Sequence, residues 1–207
     1  MTRGKRILGI SDSNSVFVSE WQRPEMFELI VSLGQSECPR ICYVGAARGD
    51  DPNRIAEFYE LARRTSCDPY ALKLFSMMTD EPDEYFRDAD IIFIDGGATR
   101  NLIALMREWN AIDALKRAYQ AGVVIVGASA GISMLFEWCI SDSVRTRIAP
   151  VRGIGILPGT VCAHYDVSAD RRDARESPLA NEPGAVPAYG LADAAATLFA
   201  DVGVVGA

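Results

Sequence analysis

One serine, one histidine and a short set of carboxylates decide what chemistry this chain of 207 residues can perform. Ser129 stands at the centre of Gly127-Ala128-Ser129-Ala130-Gly131, directly after the apolar residues 123–126. A strand that ends in a sharp turn and feeds a helix would present such a serine at its apex, because small flanking residues let the backbone bend tightly. The unpaired N–H groups of the helix start would then face a developing oxyanion. A serine hydroxyl needs a base, and His164 is the only histidine in the chain, so activation of Ser129 in the ordinary way falls to it. A carboxylate should orient the imidazole, and Asp142, Asp166, Asp170, Glu182 and Asp193 are the candidates. Asp166, two residues from His164, would share its face on a strand, but spacing alone does not choose among the five.

A second turn, Asp95-Gly96-Gly97-Ala98-Thr99, follows the apolar residues 91–94. It contains neither G-x-G-x-x-G nor a P-loop lysine, which argues against a nucleotide site. A glycine there can instead pass close to a substrate carbonyl and aim a backbone N–H at it.

The elements that must position these groups follow from the alternation of short apolar runs with amphipathic stretches, the pattern of a mostly parallel sheet flanked by helices. Strands are expected at 6–10, 40–44, 71–75, 91–94, 123–126 and 161–164, and a terminal hairpin at 194–199 and 202–205. Asp51-Pro52 reads as an N-cap followed by proline at the first helical position, with Ile55, Phe58, Tyr59 and Ala62 on one face. Leu102, Leu105, Met106 and Trp109 form a second stripe, and Ile112, Leu115 and Tyr119 a third, closed by Gly122. Sites in open α/β sheets form outside the carboxyl ends of the strands, where the glycine turn, Ser129 and His164 all fall. Residues 174–187, with three prolines, read as a loop at the rim of the site.

Composition sets the bounds. The length suits a single catalytic domain over 1–207, and 49% hydrophobic with 24% charged residues is ordinary globular usage. A net charge of −7 without a basic cluster disfavours nucleic acid or an anionic membrane as partner. No apolar run approaches spanning length and none near the N-terminus suits a signal peptide, so a cytoplasmic location is expected. The five scattered cysteines, without a C-x-x-C pair and beside a single histidine, read as reduced thiols rather than a metal site, with Cys42 and Cys162 in the core.

Three ordered blocks resemble the peptidase E family of serine peptidases, which includes the cyanophycinases. Residues 94–102, Ile-Asp-Gly-Gly-Ala-Thr-Arg-Asn-Leu, are similar to its G-G-N-T-x-N-L segment. Residues 121–131 are similar to its A-G-x-x-x-x-G-x-S-A-G block, and 153–159 with Ala163-His164-Tyr165-Asp166 to its G-L-G-L-L-P-G…P-H-Y-D. The resemblance covers about residues 40 to 199. It implies a class I glutamine amidotransferase-like fold, a flavodoxin-like three-layer sandwich, and a serine peptidase without metal or cofactor. The expected substrates are dipeptides or short peptides, typically with an N-terminal aspartate.

By matching position the resemblance makes Ser129 the nucleophile, His164 the base and Asp193 the acid, with Asp142 as a second acidic position. It puts the oxyanion N–H groups at Gly97 and Ala130. Substrate contacts are expected at Ala98, Thr99 and an arginine downstream of the histidine, Arg171 first among Arg171, Arg172 and Arg175. Ala98 replaces the family's asparagine and Ala194 its usual glycine after the acid. The expected partner is a small peptide, with the chain a monomer or homodimer. A cyanophycin-like or other amide as substrate, or a non-catalytic binding protein on the same fold, are the alternatives.

Overall fold

The structure, a computed structural model, describes residues 4–17, 24–76, 81–144, 147–176, 188–200 and 203–206. Eleven strands are assigned among them: β1 (Arg6–Ile10), β2 (Arg40–Val44), β3 (Asp68–Leu72), β4 (Ile91–Ile94), β5 (Val124–Ala128), β6 (Phe136–Ser141), β7 (Ala149–Arg152), β8 (Leu157–Ala163), β9 (Ala188–Leu191), β10 (Ala196–Ala200) and β11 (Gly203–Gly206). The helices are α1 (Asn14–Phe17), α2 (Pro24–Ser32), α3 (Pro52–Ala62), α4 (Pro82–Arg87), α5 (Thr99–Glu108), α6 (Ala111–Gln120), α7 (Ala130–Leu135) and α8 (Ala169–Glu176).

Seven strands form one sheet in the order β11-β10-β1-β5-β4-β2-β3. The five from β1 to β3 are parallel, while β10 and β11 add an antiparallel edge. Burial is nearly continuous along β1, β2, β4 and β5, as a sheet covered on both faces requires. Ile92, Ile94 and Ile125 pack with Leu102, Met106, Leu115 and Tyr119 of α5 and α6. Ile91, Phe93, Val124 and Val126 pack on the other face with Phe27, Ile30 and Phe58 of α2 and α3. The result is the mostly parallel α/β architecture expected from the sequence, of flavodoxin-like type.

The local signals for helix ends hold. Asp51 accepts from the N–H of Asn53 ahead of Pro52, and Gly122 has φ +89° where α6 stops. Cys42 and Cys162 are buried. Among the described residues no helix is long and apolar enough to cross a membrane.

Three expectations about strands need correction. The strand expected at 71–75 runs from Asp68 to Leu72, and it carries Pro69 because it is an edge strand that pairs only with β2. The strand expected at 161–164 starts at Leu157 and ends before His164, whose φ of +56° leaves the extended region. The third correction is larger: β6, β7, β8 and β9 form a separate four-stranded sheet in the order β7-β6-β8-β9. It is fastened to the main sheet by Phe136, Tyr189 and Phe199, whose ring centroids lie 5.5–5.6 Å apart. Of the loop expected at 174–187, residues 174–176 close α8 and 177–187 lie outside the described residues.

Candidate active site

The carboxyl ends of β1, β4 and β5 in the main sheet meet those of β6, β8 and β9 in the small one, and Ser129, His164, Asp193 and the glycine turn all follow these ends. Ser129 follows β5 directly, with φ +50° and ψ −105°, and α7 starts at the next residue. Its N–H is held by the carbonyl of Ile10 at 2.9 Å. A non-glycine residue in such a conformation is strained and persists only where the surroundings over-determine it. The close packing of α7 on β4 supplies that: a Cβ on Gly131 would collide with the carbonyl oxygen of Ile94.

His164 is the first residue beyond β8, also at positive φ. Its Nε2 is 2.9 Å from Ser129 Oγ, and its Nδ1 is 2.6 Å from Asp193 Oδ1. A proton on Nδ1 directed at Asp193 leaves Nε2 as the acceptor for the serine hydroxyl, the tautomer a general base needs. The imidazole is partly shielded, at 24% side-chain exposure against 40% for the Asp193 carboxylate.

Ser11, buried at the end of β1, joins the three residues from behind. Its hydroxyl donates to the carbonyl of Leu191 at 2.8 Å and accepts the backbone N–H of His164 at 2.8 Å. No motif in the sequence marked Ser11; its one signal was its place immediately after a strand, at the carboxyl end of the sheet.

The other acidic candidates are engaged elsewhere. Asp166 lies in the turn closed by the N–H of Val167 on the carbonyl of His164, and its Oδ1 accepts the N–H of Asp193. It does not share a strand face with the histidine, because the strand has already ended. Asp142, at the end of β6, is ion-paired with Arg171 at 2.6 Å. Asp170 lies in the first turn of α8, and Glu182 is outside the described residues.

Ser129 and His164 line a cavity of about 190 Å³, together with Gly97, Thr99, Ala130, Asp12, Asp142, Arg48 and Arg171. Gly97 has φ +142°, and a Cβ there would collide with the carbonyl oxygen of Ala47. Ala98 is not among the lining residues; it is the N-cap of α5, with no side-chain capping bond, and its N–H donates to Ala47 at 2.9 Å. Ser13, Ser133, Ser141 and Thr99 make much of the wall polar, and Ser141 and Thr99 are hydrogen-bonded at 3.2 Å. A groove of about 360 Å³ continues outward past His164, Val167 and Asp193. Arg172 donates instead to the carbonyl of Asp166 at 3.4 Å, and the side chain of Arg175 is outside those described.

Beneath the glycine turn, Asp95 is fully buried. Oδ1 accepts the N–H of Gly96 at 2.7 Å, and Oδ2 accepts the hydroxyl of Tyr43 at 2.7 Å. The guanidinium groups of Arg54 and Arg48 approach to 3.4 and 3.5 Å. Burial pushes the Asp95 carboxyl up, while Tyr43, both arginines and the Gly96 N–H pull it back. No motif marked Arg48, which shares the Asp95 carboxylate with Arg54 and faces the cavity.

The chain matches peptidase family S51 over residues 10–205. It is 35% identical over 155 residues to the uncharacterized peptidase YgaJ of Bacillus subtilis strain 168, covering 75% of this chain and 67% of that protein. Its fold is similar to that of a peptidase E-type protein from Listeria monocytogenes EGD-e, with a TM-score of 0.71 and 12% identity over 99% of this chain and 98% of that one. It is also similar to a peptidase from an acI-B1 Actinobacterium, with a TM-score of 0.73 and 18% identity over 100% and 89% of the two chains.

Proposed function

The chain belongs to peptidase family S51 and is a serine peptidase, and on that premise we propose that it hydrolyses dipeptides or short peptides through Ser129, His164 and Asp193. The observation that carries the proposal is the continuous chain from Ser129 Oγ to His164 Nε2 at 2.9 Å and from His164 Nδ1 to Asp193 at 2.6 Å. Ser129 Oγ attacks the scissile carbonyl carbon as His164 Nε2 takes its proton. The N–H groups of Gly97 and Ala130 receive the tetrahedral oxyanion, and Asp193 stabilises the imidazolium. His164 then gives the proton to the departing amine as the C–N bond breaks, leaving an ester on Ser129. Water, deprotonated by the same imidazole, hydrolyses that ester and regenerates the serine.

The acyl residue occupies the inner cavity and the leaving residue the groove past His164. A cavity of about 190 Å³ falls below the ~300–1,000 Å³ typical of drug-sized ligands, which suits one small residue. Its lining is mostly polar, with hydroxyls and the Arg48 and Arg171 guanidinium groups beside the carboxylates of Asp12 and Asp142, which favours a polar side chain over an apolar one. The preference for an N-terminal aspartate rests on the family resemblance.

A fluorophosphonate probe and a panel of X-Leu dipeptides test the proposal. Labelling of the wild type that disappears in Ser129→Ala, with turnover of Asp-Leu above Ala-Leu, is the expected result. A protein that neither reacts with the probe nor cleaves any peptide of a broad panel refutes it.

A further inference from the structure

We infer that Ser11 is the positioning residue that fixes His164 and the turn of Asp193 against the nucleophile; this rests on the serine-peptidase mechanism proposed above. The reacting groups belong to two sheets. Ser129 leaves β5 of the main sheet, while His164 leaves β8 and Asp193 follows β9 of the small one. Proton transfer from Ser129 Oγ to His164 Nε2 therefore depends on how the two sheets are held together at this point.

The end of β1 holds them. This strand lies between β10 and β5 in the main sheet. Its last residue, Ile10, accepts the N–H of Ser129 at 2.9 Å. The next residue, Ser11, accepts the N–H of His164 on its hydroxyl oxygen at 2.8 Å. Two consecutive residues thus grip the main chain of the nucleophile and the main chain of the base. The Ser11 hydroxyl donates to the carbonyl of Leu191 at 2.8 Å, which also accepts the N–H of Tyr165 at 3.0 Å. The backbone N–H of Ser11 donates to the carbonyl of Ala195 at 3.0 Å. Leu191 and Ala195 bracket Asp193, so Ser11 holds both ends of the turn that carries the acid. Its Oγ stands 3.5 Å from Asp193 Oδ1, the oxygen that faces His164 Nδ1. A hydroxyl has one proton, and the shorter contact takes it to Leu191, which leaves that oxygen to the imidazole.

Ser11 does not meet the substrate. It is fully buried and is not among the residues that line the cavity, so its effect passes through His164. The histidine needs such a hold because it lies just past the last paired residue of β8, at φ +56°. A misplacement on the order of 1 Å between reacting groups costs about 10²-fold in rate.

The test uses the single histidine of the chain, since ¹⁵N-histidine labelling of the untagged protein reports one ring. At about pH 9, where an ordinary imidazole is neutral, the wild type should show the Nδ1–H tautomer. Ser11→Ala should show a mixture of tautomers. It should also lower kcat for the best dipeptide about 10–100-fold, with KM changed by less than about threefold. Ser11→Thr, which keeps the oxygen, should return kcat to within about threefold of the wild type and restore the single tautomer. A Ser11→Ala protein with wild-type kcat overturns the inference. So does one that loses kcat while its ring keeps a single tautomer, the result of a merely structural role. A threonine variant as impaired as the alanine one in both readouts overturns it too. If Ser11→Ala does not fold, Ser11→Cys decides by the same readouts, because a thiol fills the site but holds an N–H weakly. A wild type that neither reacts with the fluorophosphonate nor cleaves refutes the peptidase mechanism, and the ring signals then decide the role of Ser11 by themselves.

Discussion

The backbone N–H of Asp193 donates to Oδ1 of Asp166 at 2.8 Å, while Oδ1 of Asp193 stands 2.6 Å from Nδ1 of His164. The two carboxylates therefore work in series. The one nearest the histidine in sequence holds the main chain of the one that reaches its ring. This follows from the turn at His164, which sends Asp166 away from the imidazole and toward the loop after β9.

Removing the charge of Asp193 should consequently cost far more than removing Asp166. Asp193→Asn presents an amide to Nδ1 and favours the wrong tautomer, and a kcat loss on the order of 10³–10⁴-fold is expected. Asp166→Ala removes only a support for the loop, and a loss of about tenfold or less is expected from one neutral-donor hydrogen bond. Steady-state turnover of the best dipeptide checks both. Equal losses in the two variants would contradict the serial arrangement.

How much of this was legible in the sequence depended on how local each cause was. The elbow at Ser129 could be read because strand, turn and helix lie within a dozen residues and the small residues mark the bend. The caps at Asp51 and Gly122 were equally local. The small sheet was not legible: β7 contains Pro150, β9 is four residues with a glycine, and β6 begins where a six-residue helix ends. Their strand character comes from pairing with one another and not from any residue pattern of their own. Ser11 is the extreme case, since its bond to His164 spans 153 residues and nothing near it in sequence announces a partner. Arg48 was hidden for the same reason, because the carboxylate it approaches lies just beyond the end of another strand.

Asp50 offers a test through pH. It is buried, its Oδ2 accepts the N–H of Phe75 at 2.6 Å, and its Oδ1 has no hydrogen-bond partner among the described residues. Burial pushes its carboxyl up, against the pull of the Phe75 N–H and of Lys73. The folded state therefore holds this proton more tightly than the unfolded chain, whose carboxylate titrates near ~3.9. Stability falls as pH rises from that value through the raised folded pKa, then stays lower. Asp50→Asn keeps an acceptor for Phe75 without the charge, and its side chain suits the φ of +56° at this position. It should add about 1 kcal/mol at pH 7, a rise of roughly 2–4 °C in Tm. The gain should vanish below about pH 4, where the unfolded carboxyl is protonated as well. Thermal melts of both proteins from pH 3 to 8 check it, and a gain that is the same across the range would show that charge burial is not the cause.

Gly97 joins backbone conformation to chemistry in one residue. At φ +142°, and with the Ala47 carbonyl where a Cβ would stand, Gly97→Ala must shift the turn that presents its N–H. Loss of one oxyanion donor lowers kcat by about 10²–10³-fold. The expected signature is a kcat loss of that size with KM changed by less than about threefold, since ground-state binding uses other groups. A variant with normal kcat would remove Gly97 from the oxyanion site.

Ala194 is the residue where the chain departs from the glycine usual after the acid, and its conformation makes the departure measurable. The N–H of Ala195 donates to the carbonyl of Ala192 at 3.1 Å, so Asp193 and Ala194 are the two central residues of a tight turn. Ala194 has φ +59°, as the third position of a type II turn requires, and that region favours glycine. An L-residue pays roughly 1–2 kcal/mol there, while glycine gives back about 0.5–1 kcal/mol through the greater freedom of its unfolded chain. Ala194→Gly should therefore gain about 0.5–1 kcal/mol and a few degrees in Tm. The carboxylate of Asp193 should stay in place, because Asp166 holds its N–H and His164 its Oδ1. A kcat within twofold of the wild type, measured beside the melt, is the expected result. A fall in kcat with the gain in Tm would mean that the alanine stiffens the turn for the sake of the histidine contact.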